Sequence, residues 1–131
     1  MPDENKNPIE LIPELDREFL SEKEYNFEIV SGKGPILLII KNFHFSASYV
    51  PQIADLLIII PAGYPNAPLD MFWTNPDVKL VNGNWPSAAE HHEQYNGKSW
   101  QRWSRHGNWR TGIDSLQSFI TSIKKEIVKG V

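Results

Sequence analysis

The chain has 131 residues, 40% of them hydrophobic and 22% charged, with a formal net charge of −3 and no cysteine. Those proportions are those of a soluble globular protein, read as a single domain over residues 1–131 with residues 1–11 a flexible lead, and the missing thiol excludes disulfides, thiolate metal sites and cysteine nucleophiles together. The longest apolar run, residues 54–63, is broken by Asp55 and Pro61 and is too short to span a bilayer, while the acidic opening Met1-Pro2-Asp3-Glu4 is unlike a secretion signal, so no membrane partner and a cytoplasmic location are expected.

In chain order, Pro13 followed by residues 14–20 predicts a short amphipathic helix. Proline fits the first turn, acids suit the positive end of the dipole, and Leu15, Phe19 and Leu20 are expected to face the body. Three strands follow, over residues 25–30, 36–40 and 56–60, with a turn at residues 31–35. The intervals are too short for helical crossovers, so the strands are expected to form an antiparallel meander. The prolines at 61, 65 and 68 forbid helix and central strand between them, and residues 69–74 complete a four-stranded sheet. Residues 75–97 read as a polar, irregular loop. Ile113, Leu116, Ile120, Ile123 and Ile127 recur at 3, 4, 3 and 4 residues, which predicts a long C-terminal helix with Asp114 in its first turn, Lys124, Lys125 and Lys129 near its end, and Gly130 closing it. The order of elements makes an α+β fold.

Charge is unevenly placed. Residues 1–24 carry eight acids and three bases, and residues 98–131 carry seven bases and two acids. Basicity confined to one end argues against nucleic acid as partner and suits an acidic patch on another protein. That end also holds residues 97–110, which contain three of the five tryptophans (Trp100, Trp103, Trp109), Arg102, Arg105, Arg110, His106 and no acid. In an extended conformation Trp100, Arg102, Ser104 and His106 share one face, while Gln101, Trp103 and Arg105 share the other. A helical turn would instead stack Trp100 on Trp103. Either arrangement offers guanidinium forks to a carboxylate. The alternative is a brace, with the indoles filling space and the arginines bonded to backbone carbonyls.

His106 is a candidate general base or acyl acceptor with Ser104 beside it, for which Asp114 or Asp70 would have to be brought up by folding as the orienting acid. His91 and His92 with Glu90 and Glu93 have no metal-site spacing, so neither a metal nor another cofactor is expected. His44, between Phe43 and Phe45, reads as a strand residue, and Gly32-Lys33-Gly34 lacks the spacing of a phosphate cradle.

The turn Tyr64-Pro65-Asn66-Ala67-Pro68, followed by a strand with Phe72 and Thr74, resembles the Tyr-Pro turn of the ubiquitin-conjugating (UBC) superfamily. Gly97, then Trp109-Arg110-Thr111-Gly112-Ile113 and a long helix, is similar to that superfamily's glycine, tryptophan turn and following helix. The resemblance implies a UBC-like fold in which Tyr64, Pro65 and Pro68 shape a structural turn. It also places Trp100 where the reactive cysteine would stand, and the superfamily's His-Pro-Asn triplet would fall near Lys79-Leu80-Val81, where no such triplet exists. A standard thioester is therefore impossible, and the chain is most similar to the bacterial family E branch. That similarity implies a pathway with a ubiquitin-like protein, its activating enzyme and JAB-type metallopeptidases. Two roles are open. One is a component that positions or receives the modifier tail through Trp100, Arg102, Trp103, Arg105 and Trp109, with His106 and Ser104 as candidate catalytic groups. The other is a non-catalytic adaptor like inactive UBC variants and RWD domains. An unrelated hydrolase using Ser104 and His106 is a third, more distant possibility.

Overall fold

The computed structural model describes residues 11–31 and 34–129. The flexible lead expected at 1–11 (Leu11 apart), Gly32 and Lys33 of the first turn, and the Gly130 cap lie outside the described residues. The elements in order are α1 (Glu14–Glu22), β1 (Phe27–Val30), β2 (Ile36–His44), β3 (Tyr49–Val50), β4 (Ile53–Ile60), β5 (Phe72–Asn75), β6 (Lys79–Leu80), β7 (His91–Tyr95), β8 (Lys98–Trp103) and α2 (Leu116–Lys129).

The sheet has six strands in the order β1-β2-β4-β5-β8-β7, not the four expected, and β3 and β6 form a separate pair. The first four follow the meander, each antiparallel to its neighbour. The two extra strands come from residues read as loop and as an undecided aromatic segment. Asn96 and Gly97 take positive φ of 53° and 77° between Tyr95 and Lys98, which pair directly. That is the two-residue turn whose twist matches a hairpin, and asparagine followed by glycine tolerates it best. β8 then lies against β5 in the register Phe72 to Trp103, Trp73 to Arg102 and Thr74 to Gln101.

Both helices pack with the inner face of the sheet in the main core. Leu38, Ile40, Leu56, Ile58, Phe72 and Trp103 meet Phe19 and Leu20 of α1 and Leu116, Ile120, Ile123 and Ile127 of α2. Lys41 and Asn42 form a bulge where the register slips between Ile40 and Phe43. A smaller cluster of Ile39, Leu57, Trp73 and Trp100 forms on the opposite face. No helix among the described residues is long and apolar enough to cross a membrane.

Two helix assignments shift. Leu15 is 77% exposed, and the buried face of α1 carries Asp16 beside Phe19 and Leu20. Asp16 is tolerated inside because the Tyr64 hydroxyl and the Leu116 N–H both donate to its carboxylate. α2 starts at Leu116, three residues after Ile113, which is 67% exposed. The cause is a turn at 110–114, where the N–H groups of Ile113 and Asp114 both donate to the Arg110 carbonyl.

Candidate functional site

The segment from 97 to 110 is extended through β8, so its side chains alternate. Trp100 is 1% exposed on the outer face, its Nε1 donating to the Tyr95 carbonyl at 3.0 Å. Trp103 is fully buried on the inner face, stacked on Phe72 with centroids 5.1 Å apart, and its Nε1 donates to Thr74 Oγ1 at 2.9 Å. Both indoles are thus interior groups on opposite sides of one strand. Between them Gln101, also fully buried, accepts from Thr74 Oγ1 and the Val78 N–H and donates to the carbonyls of Val78 and Ala89. These bonds anchor the connection from β5 to β7.

The arginines are engaged within the chain. Arg102 meets Glu93 at 2.8 Å and donates through Nε to Ser104 Oγ. Glu93 also accepts from Trp73 Nε1 and the Tyr95 hydroxyl. Burial pushes its acidity the other way, but these bonds and the Arg102 charge outweigh it and hold its pKa below the ordinary value. Arg105 donates twice to the Ser87 carbonyl, pairs with Glu126 at 3.0 Å, and lies over the Trp103 ring. Arg110 chelates Asp114, whose side chain also takes the Arg110 N–H and the Ser118 hydroxyl. The bonds from Arg110 first, and then those others, hold Asp114 down to about 2.

After Trp103 the chain leaves the sheet and runs beside α2. Arg105–Glu126 pins one end of this run and Arg110–Asp114 the other, and a groove of about 690 Å³ lies between run and helix. Its apolar wall includes Leu69, Phe72, Trp109, Phe119 and Ile123. Trp109 is set by a bond from Nε1 to the Pro65 carbonyl at 2.9 Å and by the Tyr64 ring 6.0 Å away. Tyr64 in turn donates to Asp16, and Thr111 donates to the Asn66 carbonyl, so the Tyr64–Pro68 turn ties α1 to the groove. Burial first, then the Asp16 bond and charge, raise the Tyr64 phenol far above its ordinary value.

His106 lines this groove with its side chain 64% exposed. Its Nδ1 lies 2.9 Å and 3.2 Å from the two carboxylate oxygens of Asp70. Folding therefore supplies Asp70, thirty-six residues upstream, as the partner acid. Ser104 is not bonded to His106 among the described residues: its hydroxyl takes the Arg102 donor and its N–H goes to the Ala88 carbonyl. Asp114 is held by Arg110 at the far end. Of the segment's residues, then, Arg105 to Arg110 line the groove, His106 and Trp109 among them, whereas Trp100, Arg102, Trp103 and Ser104 do not. His92 bonds Asp77 at 2.8 Å and meets Trp85 edge-on, and no cluster of three candidate metal ligands occurs among the described residues. Lys79 and Leu80 form β6, and Asn82 caps a turn through the Asn84 N–H.

The sequence reads Lys125 only as a cation near the end of the helix and gives the serines of this wall no role. Ser115, Ser118, Ser122 and Lys125 line the groove at intervals of 3, 4 and 3, a second helical stripe beside the isoleucine one. That periodicity was the available signal.

The model of Prokaryotic E2 family E matches residues 12–129. No curated protein and no solved structure gives a match. With the match spanning nearly every described residue, the chain belongs to Prokaryotic E2 family E.

Proposed function

We infer that this protein is an E2-like component of a prokaryotic ubiquitin-like modification pathway, which positions or receives the modifier's C-terminal tail in the groove along α2 without a cysteine thioester. The observation that carries the reading is the Asp70–His106 pair on a residue that lines the groove. A carboxylate on Nδ1 fixes the ring, and in the neutral tautomer it favours the lone pair lies on Nε2. Nε2 would add to the carbonyl carbon of a tail held as a thioester on an activating enzyme. The C–N bond forms as the C–S bond breaks, and the thiolate leaves with the electron pair. Asp70 balances the imidazolium charge until a target amine displaces the ring and forms the amide. Trp109 forms part of the wall against which the tail lies, and Arg105 keeps that wall at its distance from α2. The modifier and its activating enzyme are the partners in this reading, a JAB-type metallopeptidase a third, and the cytoplasm the setting.

A second reading, a non-catalytic adaptor, draws support from the same region, because Arg102, Arg105, Arg110 and Ser104 are all engaged internally. One experiment separates the two. A ubiquitin-like protein loaded as a thioester on its activating enzyme is mixed with this protein, and discharge is followed over time. Transfer at His106 predicts accelerated discharge that falls roughly a hundredfold in His106→Gln and less in Asp70→Asn. A complex without acceleration supports the adaptor. Neither discharge nor complex overturns both.

A further inference from the structure

The groove has a length, a direction and an unbalanced charge. Its wall along α2 runs from Ser115, the residue before the helix, to Glu126. At 1.5 Å per residue that is about 16 Å, room for about five residues of extended chain. Arg105–Glu126 and Arg110–Asp114 are matched ion pairs at the two ends. Lys125 also lines the groove, is exposed, and has no ion-pair partner among the described residues. The Arg105–Glu126 bond joins the chain neighbours of His106 and Lys125, so both groups belong to the same end. Asp70, the carboxylate beside His106, is already engaged on Nδ1. The opposite end, at Arg110 and Asp114, is neutral as a pair.

We propose that this groove takes an extended peptide segment ending in a free carboxylate, with Lys125 as the cation that reads the carboxylate and the apolar wall receiving the preceding side chains. The proposal deepens the functional reading above by naming the tail's free-acid state, before activation or after release, as the state that Lys125 reads. It rests on that reading for the location of the site, not for any chemistry at His106. The direction follows from charge: the carboxyl end lies at Lys125, next to His106, and the chain extends back toward Trp109 and Asp114. The dipole of α2 is negative at this end, but that effect fades within the last turn, and Lys125 stands one turn before Lys129, where the helix ends. The full charge of the ammonium therefore decides the sign. This role passes from Arg102, Arg105 and Arg110, which have partners, to a lysine that has no ion-pair partner among the described residues.

The test uses the full chain and a fluorescein-labelled pentapeptide, Leu-Phe-Leu-Ala-Gly, made as the free acid and as the C-terminal amide. Fluorescence anisotropy is expected to show the acid binding about three- to fivefold more tightly, the factor an exposed ion pair supplies. Lys125→Gln should bring the acid to the level of the amide, and Lys125→Arg should keep the preference. Equal binding of acid and amide by the wild type, a preference untouched in Lys125→Gln, or no saturable binding of either peptide would each overturn the proposal. Its failure is distinct from that of the pathway reading. Thioester discharge with no acid preference removes this inference alone, and acid preference with no discharge removes only the transfer chemistry.

Discussion

Gln101 is completely buried and engaged at both ends of its amide, accepting two hydrogen bonds and donating two. An amide in that position is favourable only while every partner is present, since each buried polar group left unmet costs about 1–3 kcal/mol. Replacing it with leucine keeps the bulk and strips partners from the Val78 N–H, the carbonyls of Val78 and Ala89, and the Thr74 hydroxyl. Gln101→Leu is expected to destabilise the fold by about 3 kcal/mol in urea denaturation and to speed hydrogen exchange at the Val78 amide. A variant as stable as the parent would show that water can replace the side chain there. The sequence places Gln101 on one face with Trp103 and Arg105 but gives it no role, because its value lies in neighbours up to twenty-seven positions away.

At the scale of elements, the junction of α1, the Tyr64 turn and α2 rests on one carboxylate. Asp16 is 4% exposed, and burial raises its pKa even though Tyr64 and the Leu116 N–H pull it down. A carboxyl raised on folding adds most stability while protonated, below its unfolded value near 3.8, and that contribution is lost as pH rises through the folded value. Asp16→Asn, which still offers Tyr64 an acceptor, does not titrate. The wild type is therefore expected to lose melting temperature relative to Asp16→Asn between pH 3.5 and pH 7, with the change centred above 3.8. A constant difference across that range would count against a buried ionised Asp16. The helices themselves were legible from their periodicity, but the Asp16 position was not, since a helical wheel ranks Leu15 above an acid for the buried face. The β7–β8 hairpin had a legible turn in Asn96-Gly97. Its strands were obscured because β7, His91–Tyr95, is a polar edge strand with little apolar alternation to announce it.

At the scale of the whole molecule, the resemblance to the UBC superfamily implies that Trp100 stands where a reactive cysteine would. Trp100 lies in mid-strand beneath Trp73, Leu57 and Ile39, and its position is set by β5, β7 and β8 together. Restoring the thiol would not restore a nucleophilic site. Trp100→Cys is expected to cost about 3 kcal/mol or more through the space it empties. Its thiol should react slowly with an aromatic disulfide reagent under native conditions and quickly in urea, and it should form no thioester with an activating enzyme. Rapid labelling of the folded variant would show that the strand opens and would reopen the alignment with the cysteine.

Sequence alone determined the helices, four of the six strands of the main sheet, the Tyr64–Pro68 turn, the lack of thiol chemistry and the likeness to the UBC superfamily. Each of these follows from local spacing or from composition, which a single chain displays directly. Only the tertiary structure decided that Trp100 and Trp103 are interior, that Arg102, Arg105 and Arg110 have partners, and that Asp70 meets His106 beside a groove also lined by Lys125, which has no ion-pair partner among the described residues. Those outcomes depend on which strands lie side by side and which helix lies over the connecting run. Pairing across tens of residues is settled by burial and charge in three dimensions, and no local pattern carries it.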